Sequence, residues 1–137
     1  MTVLAVERLP ANASVTNAVL LQAAISPRYD LSAALARAEQ GIWNFRSVLD
    51  VLFVGIGTSV AGTVDGRYTP GSGMLGFQPP ANLTAEGEEL YATRLHDVPF
   101  HPKMCAAFHF GGHMGSTNRV FVSERIAPLL RETTKSM

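Results

Sequence analysis

Apolar positions along this chain come in short runs, broken by glycine, proline and small polar residues. Residues 2–6 read as a first strand, closed off by Pro10 and the small polar residues behind it. Residues 15–25 are rich in Ala, Leu and Val and suit a helix on local propensity alone. Residues 31–40 carry the same ambiguity, with Asp30 placed to cap a helix. From Val48 onward the texture changes to Val, Phe, Ile and Thr punctuated by glycine, which favours strands. Asp65-Gly66, between Val64 and Tyr68, is a hairpin signal. Residues 103–110 and 119–122 read as two more strands, joined by the loop 111–118. Pro79 and Pro80 break the chain, and Pro99 and Pro102 disfavour regular structure around them. Residues 84–95 fit a capped helix or an extended strand equally well. The pattern as a whole predicts a compact, mostly β chain of short strands.

Length adds one constraint, since 137 residues make a single domain with a modest core. Lys plus Arg (11) balance Asp plus Glu (11), so no general pull towards nucleic acid or an anionic membrane follows. With 47% hydrophobic and 16% charged residues, the balance favours surface hidden in an oligomer. The longest apolar run, residues 51–64, is shorter than the roughly 20 residues of a membrane span and reads as buried strands. Cys105 is the only cysteine, so no intrachain disulfide forms and a reducing compartment is implied. Its apolar neighbours, Met104 and Ala106, suit a buried core position better than a catalytic thiol. Glu7 and Arg8 stand close behind a short apolar start, which is no signal peptide, so a cytoplasmic or nuclear location is expected.

Four segments, in order, resemble motifs of the trimeric dUTPase family, over most of the chain from Leu4 to about Leu130. Tyr29-Asp30-Leu31-Ser32-Ala33-Ala34 is similar to the family's A-G-x-D-L motif. Gly66-Arg67-Tyr68-Thr69-Pro70-Gly71-Ser72-Gly73-Met74 resembles G-R-x-A-P-R-S-G-L, the strongest single match. His96-Asp97-Val98-Pro99-Phe100 keeps the carboxylate-to-aromatic spacing of the nucleoside pocket. Val122-Ser123-Glu124-Arg125-Ile126-Ala127-Pro128-Leu129 resembles G-D-R-I-A-Q-L. The resemblance implies an all-β, dUTPase-like jelly-roll (β-clip) domain spanning residues 1–137, assembled as a homotrimer. It also implies that residues 15–25 lead into a strand despite their helical propensity.

By the same resemblance, Asp30 would hold Mg2+ through water, and Ser72, Gly73 and nearby N–H groups would hold phosphate oxygens. Asp97 would activate water, Phe100 would lie under the deoxyribose, and Arg125 would approach a phosphate. Asp30, Ser72 and Asp97 would then meet in one cleft between protomers. Each segment also has a plainer reading: a turn or helix cap at Asp30, a turn at 70–73, a Pro-rich loop at 96–102, and a last strand carrying an exposed Arg125. His109 and His113 flank two glycines, which disfavours helical metal-ligand geometry.

Several family positions are changed. Arg28 stands at a glycine, Gly71 at an arginine, Pro102 at a glycine and Pro128 at a glutamine, and the glycine-rich closing arm is missing after residue 130. If each loss removes about 2 kcal/mol of transition-state stabilisation, hydrolysis falls by many orders of magnitude. The preferred expectation is therefore a degenerate dUTPase-like trimer, of viral type, acting through contacts with a host or cellular protein. The alternative is an active dUTP diphosphatase that uses Mg2+ to cleave dUTP, or a related nucleotide, to dUMP and pyrophosphate.

Overall fold

The structure is a computed structural model that describes residues 1–50 and 56–131. Three strands, β1 (Val15–Leu21), β2 (Ala38–Arg46) and β3 (Leu95–Pro99), form one parallel sheet in that order. Parallel neighbours need long crossovers, and helices supply them. Helices α1 (Thr2–Glu7) and α2 (Ser32–Arg37) lie on one face; the short helices α3 (Thr58–Ala61) and α4 (Ser72–Leu75) follow β2. Helix α5 (Ala85–Arg94) then returns the chain to β3. Two 3-10 turns, Pro102–Ala107 and Gly115–Thr117, lead into α6 (Arg119–Phe121), a π-helical turn (Val122–Ile126) and α7 (Ala127–Arg131).

This α/β architecture overturns the all-β jelly roll expected from the sequence. Its strands are only seven, nine and five residues long. Residues 2–6 are helical because Val3 and Val6, three apart, bury on one face. Neither 103–110 nor 119–122 is a strand: the first is a 3-10 turn to Ala107 followed by irregular backbone, and the second is α-helix to Phe121 running into the π turn. The expected strand at 51–64 lies partly outside the described residues; its remainder contains α3, with Ile56 and Val60 exposed. The tail beyond Arg131 also lies outside them. Pro99 closes β3, so regular structure does reach the third segment. Residues 15–25 do contain a strand, and 84–95 resolve as a helix whose Thr84 hydroxyl accepts from the Gly87 N–H at 3.1 Å.

Side chains alternate across the sheet and build two cores. Ala18, Leu20, Ile42 and Leu95 face α1, α2 and α5, together with Val3, Leu31, Leu35 and Tyr91. Val19, Leu21, Trp43, Phe45 and Val98 face the other way, against Ala107, Met104, Phe121 and Ile126. Phe121 and Ile126 are five apart and both buried, a spacing that the π turn accommodates by widening the helix. Pro128 follows that turn and has no N–H for the carbonyl of Glu124, so a regular ladder could not continue there. Among the described residues no helix is long and apolar enough to cross a membrane.

Phe121 is fully buried and meets Phe45 edge-on, with ring centroids 5.7 Å apart. We expect Phe121→Ala to lower unfolding free energy by about 3–5 kcal/mol in urea titrations. An unchanged midpoint would mean that the C-terminal helices do not cover this face.

Candidate functional site

The carboxyl ends of parallel strands are where open α/β sheets place ligands. Here the chain leaves β1 at Gln22, β2 at Ser47 and β3 at Phe100, and the polar residues collect at that end. Asn44 and Asp97 are direct register partners on the face shared by Ile42 and Leu95. The fully buried Asn44 therefore donates Nδ2 to Asp97 Oδ1 at 2.8 Å, and also to the Ser72 carbonyl at 3.2 Å. Its Oδ1 is buried without a partner. Arg46, two residues along the same face, brings Nε to 3.4 Å from Asp97 Oδ2, an ion-pair distance without hydrogen-bond alignment.

Of the residues expected from the sequence, Ser72, Gly73, Asp97 and Phe100 do gather at this end. Ser72 is fully buried, however, and its N–H is spent on the Ile25 carbonyl at 2.7 Å. Gly73 lies so close to the chain leaving β1 that a Cβ would sit 2.2 Å from the Gln22 carbonyl carbon. Its N–H bonds the Ala23 carbonyl at 2.8 Å. Both residues knit backbone together, where a phosphate contact was expected. The Phe100 ring packs edge-on against His109 at 5.2 Å.

Asp30 is elsewhere: its Oδ1 accepts from the Ser32 N–H at 2.9 Å at the head of α2, beside the Tyr91 hydroxyl. That is the turn or cap role, and within one chain Asp30 makes no contact with the Ser72–Asp97 pair; the expected meeting was between protomers. Among the described residues no group of three His, Cys, Asp or Glu side chains gathers as a metal site. Arg125 is exposed on the π turn, far in sequence from any strand and not on the last strand expected. Cys105 is half-buried.

A cleft of about 490 Å³ opens beside these residues, lined by Ser26, Pro27, Arg28, Arg67, Tyr68, Thr69, Leu75 and Gln78. Its size falls within the range of small-molecule sites. The segment after β1 contributes Ser26, Pro27 and Arg28 to the lining, held by Val64 N–H to Ala24 O at 2.8 Å and Gln78 N–H to Pro27 O at 2.7 Å. The two charged side chains of the lining, Arg28 and Arg67, are both cationic, and neither is ion-paired among the described residues. Tyr68 is 77% exposed and presents a ring at the same mouth. Arg28 drew notice in the sequence only as a departure from a family glycine, and Arg67 only as one position of the segment resembling G-R-x-A-P-R-S-G-L. Residues some 40 positions apart give no local sign that they share a cleft.

On the other core, Asp50 is 2% exposed and its Oδ2 lies 2.6 Å from His113 Nδ1. Gln22, in left-handed conformation at φ 51°, donates Nε2 to the neighbouring Gly112 carbonyl at 2.9 Å. These contacts tie the glycine-rich loop to the ends of β1 and β2. The loop itself is no hairpin connection, because no strands flank it. His109, 3% exposed between the Phe100 and Phe121 rings, has its pKa pushed down by burial.

Comparison of the chain with known protein families, curated proteins and solved structures gives no match.

Two consequences can be measured. Asn44→Ala should cost about 1–3 kcal/mol of stability, since it strips a buried donor from Asp97 and from the Ser72 carbonyl. A loss below a few tenths in urea titration would show that the bridge contributes little. His109 stays neutral in the fold more readily than in the unfolded chain, so the unfolded state binds more protons as pH falls below about 6.5. Thermal stability should therefore drop on acidification through that point, and His109→Phe should lose that part of the slope.

Proposed function

We propose that this protein is a small-ligand-binding α/β domain whose cleft takes an anionic molecule carrying a phosphate or carboxylate next to a ring. The observation that carries this reading is the pair of guanidinium groups, Arg28 and Arg67, lining one cleft without ion-pair partners among the described residues. Guanidinium keeps its charge at any physiological pH and offers a planar fork of donors to oxyanions. The Thr69 hydroxyl and Gln78 amide add neutral hydrogen-bonding groups to the lining, and Tyr68 offers a face on which a ring can stack.

A nucleotide such as dUTP has both the charge and the ring. The link from Ser72 through Asn44 to Asp97 favours keeping dUTP, with Mg2+, among the ligands tried. Binding is the preferred role over hydrolysis, because the Asp97 oxygens already face Asn44 and Arg46. The homotrimer belongs to that nucleotide reading and is tested with it by light scattering.

The test is titration of the protein with inorganic phosphate, pyrophosphate and dUTP, with and without Mg2+, followed by calorimetry. An exposed charge contact contributes about 0.5–1 kcal/mol, so Arg28→Ala and Arg67→Ala should each weaken binding by roughly two- to fivefold. Affinity should also fall as salt rises, because the Debye length shrinks to about 8 Å at physiological ionic strength. Binding that ignores both arginines, or no binding by any of the three ligands, would remove this function.

A further inference from the structure

We propose that Asp65 and Ser26 form a clamp that sets Arg28 and Arg67 as one anion-binding pair, so that a carboxylate beside the cleft strengthens anion binding. The proposal rests on the anion-binding reading of the cleft and names the residues that organise it.

Both oxygens of Asp65 are engaged by Ser26: Oδ1 accepts from the Ser26 N–H at 2.8 Å and Oδ2 from the Ser26 hydroxyl at 2.5 Å. Burial raises the Asp65 pKa, but the hydrogen bonds from Ser26 and Thr63 outweigh it and hold the carboxyl below its ordinary value. The clamp therefore stays ionised and closed at neutral pH. Ser26 is itself buried, at 4% exposure.

The offsets are matched. Arg28 stands two residues after Ser26, and Arg67 two residues after Asp65. On one side Pro27 fixes its own backbone angle, and its carbonyl accepts from Gln78 N–H at 2.7 Å. On the other side Gly66 takes φ 78°, a left-handed turn that suits glycine. Thr63 N–H then bonds the Arg67 carbonyl at 2.7 Å, while Arg67 N–H bonds Thr63 Oγ1 at 3.0 Å. Each arginine thus grows from a backbone fixed within two residues of the clamp, and the Asp65 carboxylate joins the two segments alongside the Val64 N–H to Ala24 carbonyl bond. Without it, two long exposed side chains would have to be ordered separately by the ligand, at greater entropic cost.

Charge alone predicts the opposite effect. A carboxylate some 8 Å from a bound anion in water weakens binding by roughly twofold, so removing it should tighten binding. Positioning and charge balance therefore differ in the sign of one measurement.

The experiment titrates inorganic pyrophosphate into wild type, Ser26→Ala and Asp65→Asn, and into R28A, R67A and the double arginine variant in wild-type and S26A backgrounds. If the clamp positions the pair, S26A and D65N each weaken binding by roughly fivefold or more. In wild type, the double arginine variant loses less than the product of the single losses; in S26A the losses multiply. A general loss of stability would not move that coupling, and slow amide exchange in the central strand checks that S26A stays folded. Tighter binding by D65N, or S26A binding like wild type, would overturn the clamp and leave the anion site standing. Wild type that binds no pyrophosphate would overturn this inference, and the phosphate, pyrophosphate and dUTP series together decides the function beneath it.

Discussion

Parallel pairing of three short strands is the constraint from which the rest of this structure follows. Parallel strands cannot be joined by tight hairpins, so each pairing requires a crossover, and both faces of the sheet must then be covered. Helices α2 and α5 provide the crossovers and one cover, while the segment from Pro102 to Arg131 provides the other. The central strand is paired on both edges and covered on both faces, which is why Ile42 and Asn44 are wholly buried. Arg94 reinforces the arrangement by donating to the Leu35 and Ala38 carbonyls at 3.2 Å, tying the end of α5 to the end of α2.

Register then decides where polar chemistry collects. Because Ile42 pairs with Leu95, Asn44 must pair with Asp97 two residues on, and their side chains share a face. A buried amide in the middle of a sheet is costly unless its groups are satisfied. Asn44 recovers part of that cost through Asp97 and the Ser72 carbonyl, and so binds the start of α4 to the sheet. The start of α4 also pins the chain leaving β1, through Ser72 and Gly73, and the cleft with its two arginines opens beside that seam. The cleft with its two arginines is thus a consequence of how segments pack past the strand ends, with the strands themselves acting as scaffold.

Parts of this were legible along the chain. Thr84 capped a helix, one of the two readings open for residues 84–95, and Pro79 and Pro80 lie between elements. Asp65-Gly66 made a turn, but among the described residues no strands flank it as the hairpin signal required. Asp30 took the plain local role open to it. The β reading of 2–6, 103–110 and 119–122 failed because runs of Val, Phe, Ala and Met serve a helix face as well as a strand when the run is this short. Ser72 and Asp97 lie at the same end of the molecule, but the fold is not the jelly roll that the dUTPase-like motifs implied. Asn44 and Asp50 carried no motif and Asp65 only a turn signal, and their roles depend on partners 28 to 63 positions away.

By itself the sequence determined the local punctuation: where helices could be capped, where turns must fall, and which residues could never be charged or bridged by sulfur. It also set the absence of a long apolar span, because that is a matter of run length alone. Only the tertiary structure decided strand direction, register and the meeting of Arg28 with Arg67 and of Ser26 with Asp65. Those depend on which apolar faces pack together, and packing is a sum over distant neighbours that no short window of residues contains.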